Sequence, residues 1–171
     1  MEALAKHAGV PVYNGLTNEW HPTQMLADFL TMHESAHKPY DRLAYAFVGD
    51  CRFNMGRSLL VMGALMGADV RLAGPAELHP PKDVADLARD IAARTRAAIT
   101  ITEDPAAAVA GADFIHTDVW VSMGEAKDVW ASRVAQLRPY QVNAALMAAA
   151  GNPAVKFMHC LPAYHLSLIH I

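Results

Sequence analysis

The sequence predicts an α/β protein with a doubly wound, mostly parallel five-stranded sheet and helices on both of its faces. From residue 42 onward, short apolar runs rich in β-branched and aromatic residues alternate with helical segments. Residues 43–48 and 114–117 have the composition of buried strands. The segments between them are long enough for right-handed βαβ crossovers, which produce a parallel sheet.

The amino-terminal part is predicted to be mostly helical. Residues 1–9 are typical of the last turns of a helix, residues 10–13 of a short strand, and residues 22–33 of a second helix. The spacing of apolar residues predicts that the second helix buries Met25, Leu26, Phe29 and Leu30. Residues 35–41 are predicted to form a linker.

The remaining chain is predicted to contain five strands and five helices. The strands are residues 43–48, 68–73, 98–102, 114–117 and 155–158. The helices are residues 55–66, 82–96, 104–110, 125–137 and 139–150.

The composition argues against several classes of protein. The 171 residues are 53% hydrophobic and 18% charged, unlike a disordered chain, and a net charge of −3 provides no basic surface for nucleic acid. The longest apolar run, residues 59–66, is too short to span a bilayer. Two cysteines cannot form a disulfide framework, and the amino terminus has no hydrophobic signal core. We therefore expect a cytoplasmic protein.

Polar side chains collect where the predicted strands end. Asn54 follows the first strand of the sheet, Asp118 and Ser122 follow the fourth, and Cys160 follows the fifth. Because parallel strands end at the same edge, these groups are expected to converge there. A carboxylate for an ammonium group, together with amide and backbone donors for a carboxylate, suits a zwitterionic or amine-bearing small ligand.

Each of these residues also has a simpler interpretation. Asn54, Asp118 and Ser122 could cap the helices that follow them. Cys160 could be an inert buried thiol. His159 and Cys160 could take part in a metal site, but their spacing fits no zinc pattern, so we predict neither a metal nor a cofactor.

A nucleotide site is a distant alternative. The run from Gly49 to Gly56 follows a strand and opens a helix, but it lacks the second glycine of G-x-G-x-x-G. The second strand ends at Gly74 without the acidic residue expected near a ribose. Trp120 is expected to be a packing residue and not a stacking platform.

Four motifs together resemble the aspartate/ornithine carbamoyltransferase family, and within it the ornithine branch. They are His-Pro-Thr-Gln from residue 21, Phe-Val-Gly-Asp from residue 47 with Asn-Met-Gly from residue 54, Asp-Val-Trp-Val-Ser-Met-Gly from residue 118, and His-Cys-Leu-Pro-Ala-Tyr-His from residue 159. The resemblance extends from about residue 3 to residue 165. Asp-x-x-x-Ser-Met-Gly together with His-Cys-Leu-Pro is highly specific to the ornithine branch.

The resemblance implies transfer of a carbamoyl group from carbamoyl phosphate to the δ-amine of L-ornithine, which gives L-citrulline and phosphate. It implies that Asn54, Asp118, Ser122 and the backbone at Met123 hold the α-amino and α-carboxylate groups of ornithine. The alternatives are a sister transcarbamylase for another amine, such as putrescine or an acylated ornithine, and a non-catalytic amino-acid-binding module.

The resemblance also implies which residues contact the transferred group. His21 and Gln24 would contact the carbamoyl group, and the Leu161 carbonyl would bind its NH2. Cys160 would lie beside the reacting amine. His21, Asp118 and Cys160 are therefore the predicted catalytic residues.

The domain organisation is expected to be that of a partial enzyme. Residues 1–38 would be the end of the carbamoyl-phosphate-binding domain with a linking helix, residues 39–165 the ornithine-binding domain, and residues 166–171 a non-native tail. The Ser-x-Arg-Thr phosphate loop of the family does not occur in the sequence. Little turnover is therefore expected from this chain, and the trimeric assembly of the family is expected to be altered.

Overall fold

The central sheet is parallel throughout and is five-stranded, as the sequence predicts. The computed structural model describes residues 1–121, 125, 129–163 and 169–170. The strands in this part of the chain are β1 (Ala44–Val48), β2 (Asp69–Ala73), β3 (Ala98–Thr102), β4 (Phe114–Thr117), β5 (Val142–Asn143), β6 (Lys156–His159) and β7 (Ile169–His170). The sheet has the order β3-β2-β1-β4-β6, and β5 pairs separately with β7.

Helices connect the strands. The α-helices of the described residues are α1 (Glu2–His7), α2 (Pro22–Ala36), α3 (Asn54–Met66), α4 (Lys82–Thr95), α5 (Pro105–Val109), α6 (Trp130–Leu137) and α7 (Ala144–Ala149). Short 3-10 helices are formed by Tyr40–Arg42, Ala76–Leu78 and Arg138–Tyr140. None of the helices in this part of the chain has both the length and the hydropathy needed to cross a bilayer.

Helices cover both faces of the sheet, and the central strand β1 is apolar and almost fully buried. Alternate residues of β1 point to opposite faces: Tyr45 and Phe47 contact the core beneath α2, α3 and α4. Ala46 and Val48 contact the core on the α5 and α7 side. The predicted doubly wound arrangement is therefore confirmed.

Close packing fixes α3 against the sheet. Gly63 approaches β1 and β2 so tightly that a Cβ atom there would clash with the Tyr45 hydroxyl and with Val70. The Tyr45 hydroxyl in turn donates a 2.6 Å hydrogen bond to the carbonyl of Leu59, on the same helix. These contacts anchor α3, which begins at Asn54, to the central strand β1.

Three predicted elements differ from the structure. Residues 10–13 form no strand; Val10 and Tyr13 are exposed and no neighbouring strand pairs with them, so β propensity alone is not sufficient. The predicted helix 125–137 begins at Trp130 instead. The predicted helix 139–150 is divided, because the Asn143 side chain accepts a hydrogen bond from Leu146 N and so starts α7 after β5.

The buried face of α2 is also different from the prediction. Leu26 and Leu30 are 66% and 53% exposed. Asp28 and Met32 are buried in their place. Together with Met25 and Phe29 they form a stripe at i, i+3, i+4 and i+7, the spacing of one helix face. A search for apolar residues alone misses this stripe because one of its members is a carboxylate.

Candidate ligand-binding site

A cavity of about 610 Å³ opens at the carboxyl ends of the central strands. Asn54 follows β1, Asp118 follows β4 and Cys160 follows β6, and all three line the cavity as the sequence predicts. β1 is flanked by β2 on one side and by β4 on the other, so strand order reverses between β1 and β4. Open α/β sheets bind ligands in the crevice at such a point. The volume is that of a small-molecule site.

Asp118 provides the cavity with a carboxylate that is largely removed from solvent. Its Oδ1 accepts hydrogen bonds from Val119 N at 2.7 Å and from the Cys160 thiol at 3.3 Å. Burial raises the pKa of the Asp118 carboxyl, and these two hydrogen bonds oppose the rise. An ammonium group of a ligand would oppose it further, so the site favours a cationic amine.

Cys160 is a hydrogen-bond donor in the cavity wall and not an isolated core thiol. Burial, and then the adjacent Asp118 carboxylate, raise the pKa of the Cys160 thiol well above its usual range. The thiolate is the nucleophilic form of cysteine, so at neutral pH this residue does not act as a nucleophile. Its protonated thiol instead orients Asp118.

His159 adjoins the same pair of residues. Its Nδ1 accepts a 2.7 Å hydrogen bond from Leu161 N, and burial lowers the pKa of its ring. One potential metal-ligand atom from each of Asp118, His159 and Cys160 lies within 4.8 Å of the others. Three such atoms are fewer than the four of a closed zinc site. The absence of a metal stays a prediction.

His21 and Asn54 connect the start of α2 to the start of α3. His21 is both a cap and a cavity residue: its Nδ1 accepts from Gln24 N at 3.4 Å, and its own backbone N–H donates to Ser58 Oγ at 2.9 Å. Asn54 does not cap α3, because Phe53 occupies the N-cap position. The Asn54 amide donates instead to the Thr17 carbonyl at 2.8 Å.

Of two further predicted site residues, Leu161 lines the cavity and Gln24 does not. Leu161 lines the cavity and has a φ of 55°, a strained conformation for a leucine of the kind that clusters at ligand sites. Gln24 is half-buried and does not line the cavity; its Nε2 donates to Asp28 at 2.8 Å. Ser122 and Met123 lie outside the described residues. Trp120 is a packing residue, as expected, in contact with the core formed around Leu78 and Leu137.

An ion-pair network beside the cavity was not predicted as part of the site. Arg52 binds Asp50 through two hydrogen bonds of 2.9 and 2.7 Å. Arg133 of α6 contacts Asp50 at 3.1 Å and the cavity residue Glu125 at 2.8 Å. Asp50 follows β1 directly, a position that could have indicated it. Arg133 lies on a later helix, and its sequence neighbours carry no signal that it would reach this edge.

Family models assign the chain to a class of protein. One described as "Aspartate/ornithine carbamoyltransferase, Asp/Orn binding domain" matches residues 41–167. Another, described as "Aspartate/ornithine carbamoyltransferase, carbamoyl-P binding domain", matches residues 1–34. The chain therefore belongs to the aspartate/ornithine carbamoyltransferase family.

Individual relatives belong to the ornithine branch. The chain is 63% identical over 164 residues to the catabolic ornithine carbamoyltransferase of Chromobacterium violaceum, covering 96% of this chain and 49% of that protein. It is 60% identical to the catabolic enzyme of Rhizobium meliloti, with 96% and 49% covered. The ornithine carbamoyltransferase structure from Pyrococcus furiosus matches with a TM-score of 0.90 at 40% identity, covering 98% of this chain and 52% of that one. The chain spans about half the length of the curated relatives it matches.

Proposed function

We propose that this chain supplies the ornithine-binding part of an ornithine carbamoyltransferase, which transfers the carbamoyl group of carbamoyl phosphate to the δ-amine of L-ornithine. The observation that carries the proposal is the Asp118–Cys160 pair, a largely buried carboxylate held by a protonated thiol in a cavity at the strand ends. Relatives at 59–63% identity are named ornithine carbamoyltransferase, which supports ornithine over another amine.

Ornithine would be held through its α-substituents. In this proposal the α-ammonium group binds Asp118, where burial of the carboxylate makes a charge pair stronger than it would be in water. Asn54 contributes its amide from the opposite side of the cavity. One of its N–H groups already donates to the Thr17 carbonyl, so the rest of the amide is what ornithine can contact. The family resemblance alone indicates that Ser122 and the Met123 N–H also contact the α-substituents of ornithine.

The reaction itself would need positioning and charge stabilisation. The neutral δ-amine attacks the carbonyl carbon, a C–N bond forms, the C–O bond to phosphate breaks, and the proton lost by the amine is taken up by the departing phosphate. His21 in the cavity wall would donate to the developing oxyanion. Cys160 would lie beside the amine, and the Leu161 carbonyl and Gln24 would contact the carbamoyl NH2. Holding the two reactants about 3–3.5 Å apart accounts for much of the acceleration of such reactions.

The phosphate group would need cations from elsewhere. Among its described residues the cavity wall includes His21 but neither lysine nor arginine. We therefore propose that residues 1–38 are the end of a carbamoyl-phosphate-binding domain and that residues 39–165 are the ornithine-binding domain, with Ile169–His170 paired to its strand β5. The assembled enzyme would be a cytoplasmic homotrimer. Three relatives are named catabolic, which favours a role in arginine breakdown.

A hybrid enzyme tests the proposal. The matched 164 residues of this chain replace their counterpart in the Chromobacterium violaceum enzyme, and citrulline formation is measured with L-ornithine and with putrescine. The hybrid is expected to use L-ornithine, and the 171-residue chain alone to show little turnover. A folded hybrid that carbamoylates putrescine but not L-ornithine would support a sister transcarbamylase instead. L-ornithine binding by the chain that is indifferent to carbamoyl phosphate would favour a non-catalytic module.

A further inference from the structure

A buried carboxylate lies on α2, behind the cavity wall. Asp28 is 6% exposed and belongs to the stripe of α2 that faces the core. A carboxylate in such a position costs several kcal/mol unless hydrogen bonds compensate for lost water. It is close enough to two residues of the cavity wall to interact with them: His21 opposes the rise in the pKa of Asp28, and the Asp28 carboxylate raises the pKa of the Cys160 thiol. Burial of the Asp28 carboxylate therefore costs free energy, and this residue lies directly beside the candidate site.

Among the residues that the structure describes, no cation contacts Asp28 from within the core. The ring of His116 on β4 approaches it with Nδ1 3.8 Å from Oδ2, which is too long for a hydrogen bond. Burial lowers the pKa of His116 to about 3, so the ring is neutral. The compensating contact comes from Gln24, one helical turn earlier, whose Nε2 donates to Asp28 Oδ1 at 2.8 Å.

This contact determines which end of the Gln24 amide faces away from Asp28. An ionised carboxylate only accepts hydrogen bonds, so the NH2 end of the amide must face Asp28. The Oε1 end receives no hydrogen bond within the part of the chain that the structure describes. Gln24 is half-buried, and its backbone N–H donates to the cavity residue His21. It thus has an acceptor available next to the cavity.

We propose that Asp28 is a positioning residue that fixes the Gln24 amide so that it offers an acceptor, and not a donor, to the carbamoyl group. This inference rests on the proposed function, which gives Gln24 its contact with the carbamoyl NH2. With the opposite orientation, two NH2 groups would face each other. Asp28 would then contribute to the selection of a carbamoyl group without touching it.

Two ligands isolate the predicted hydrogen bond. Carbamoyl phosphate and acetyl phosphate have the same phosphate and carbonyl and differ in NH2 against CH3. Because the hybrid enzyme described above also supplies the phosphate-binding domain, binding of each ligand to the hybrid is followed by calorimetry in the absence of ornithine. The wild type is expected to prefer carbamoyl phosphate by about five- to tenfold, the size of one hydrogen bond. Asp28→Asn is expected to reduce the preference toward one, because an amide both donates and accepts and so no longer dictates the orientation of Gln24.

A purely structural role predicts a different result, in which Asp28→Asn weakens both ligands equally and the ratio is unchanged. Asp28→Glu retains an acceptor-only group and should restore the preference. If Asp28→Asn does not fold, Asp28→Ala removes the acceptor and should have the same effect on the ratio. A preference that survives in Asp28→Asn and in Asp28→Ala overturns the inference alone. Equal affinity of the wild type for the two ligands overturns it together with the Gln24 contact of the proposed function.

Discussion

His116 shows how burial alters the chemistry of single residues around this site. Its side chain lies between β1 and α2, in contact with the Tyr45 ring, and its Nε2 has no hydrogen-bond partner among the described residues. Burial lowers the pKa of His116 to about 3 in the folded chain, whereas in an unfolded chain it has the ordinary histidine pKa of about 6.5. Between these pH values the unfolded chain binds a proton that the folded chain does not bind.

This difference predicts a pH dependence of stability. The stabilising contribution of neutral His116 is fully present above about pH 6.5 and is lost as the pH falls, by up to about 1.4 kcal/mol per pH unit. We expect His116→Gln to reduce the slope of the unfolding free energy between pH 6 and pH 4 by up to that amount, as measured by urea denaturation.

The matched control is His7→Gln, on an exposed position of α1, which should retain the wild-type slope. Burial raises the pKa of Asp28 and Asp118, which stabilises the folded chain on the acid side, but both residues are unchanged in the two variants. An unchanged slope in His116→Gln would show that the ring is already protonated, or solvated, in the folded chain.

At the level of residues, the strand-end groups could be predicted and the helix-borne ones could not. Asp118 and Cys160 directly follow strands β4 and β6, and the geometry of a parallel sheet brings such positions together without further information. Asp28 and Arg133 lie on helices, where the side that a polar residue faces depends on how the helix packs. Apolar spacing did not reveal that packing, since it assigned Leu26 and Leu30 to the core.

Among the elements, α3 is the one whose position most directly affects the site, because it starts at Asn54 and packs on β1 and β2. Gly63 permits that contact. We expect Gly63→Ala to lower the unfolding free energy by about 2 kcal/mol, since overpacking against the buried Tyr45 ring outweighs the better helix propensity of alanine. Chemical denaturation measures the change.

Gly15→Ala is the control for this substitution. A Cβ atom at Gly15 meets no other atom within 4 Å, and the residue is exposed. The unfolding free energy of Gly15→Ala should stay within about 0.5 kcal/mol of that of the wild type. Equal stability of the two variants would mean that α3 does not approach the sheet as closely as the structure indicates.

Element type and the positions of the five strands of the central sheet could be predicted from the sequence, but the starts of α6 and α7 could not. The five strands were found to within one residue, because runs of β-branched, aromatic and alanine residues mark them. The start of α7 depends instead on a single side-chain hydrogen bond, from Leu146 N to Asn143. The short strand β5 depends on β7, which is distant in sequence. Such pairings are decided by tertiary contacts and leave no local periodicity.

For the molecule as a whole, strand order is what assembles the site. The order β3-β2-β1-β4-β6 sets Asn54 and Asp118 on either side of a crevice and adds Cys160 from the edge strand. The amino-terminal segment then closes one wall, through His21 on Ser58 and Thr17 on Asn54. Residues matched by two different family models therefore share one cavity.

The central claim is that Asp118 in this cavity binds the α-ammonium group of L-ornithine. The most direct test is an NMR titration of the ¹⁵N-labelled 171-residue chain with L-ornithine in the presence of carbamoyl phosphate, comparing Asp118→Asn with Asp90→Asn, an exposed carboxylate on α4. We predict shifts around Asn54, Asp118 and Cys160 in the wild type and in Asp90→Asn, and affinity at least about thirtyfold lower in Asp118→Asn. Equal affinity in Asp118→Asn, or shifts confined to residues away from this cavity, would contradict the account.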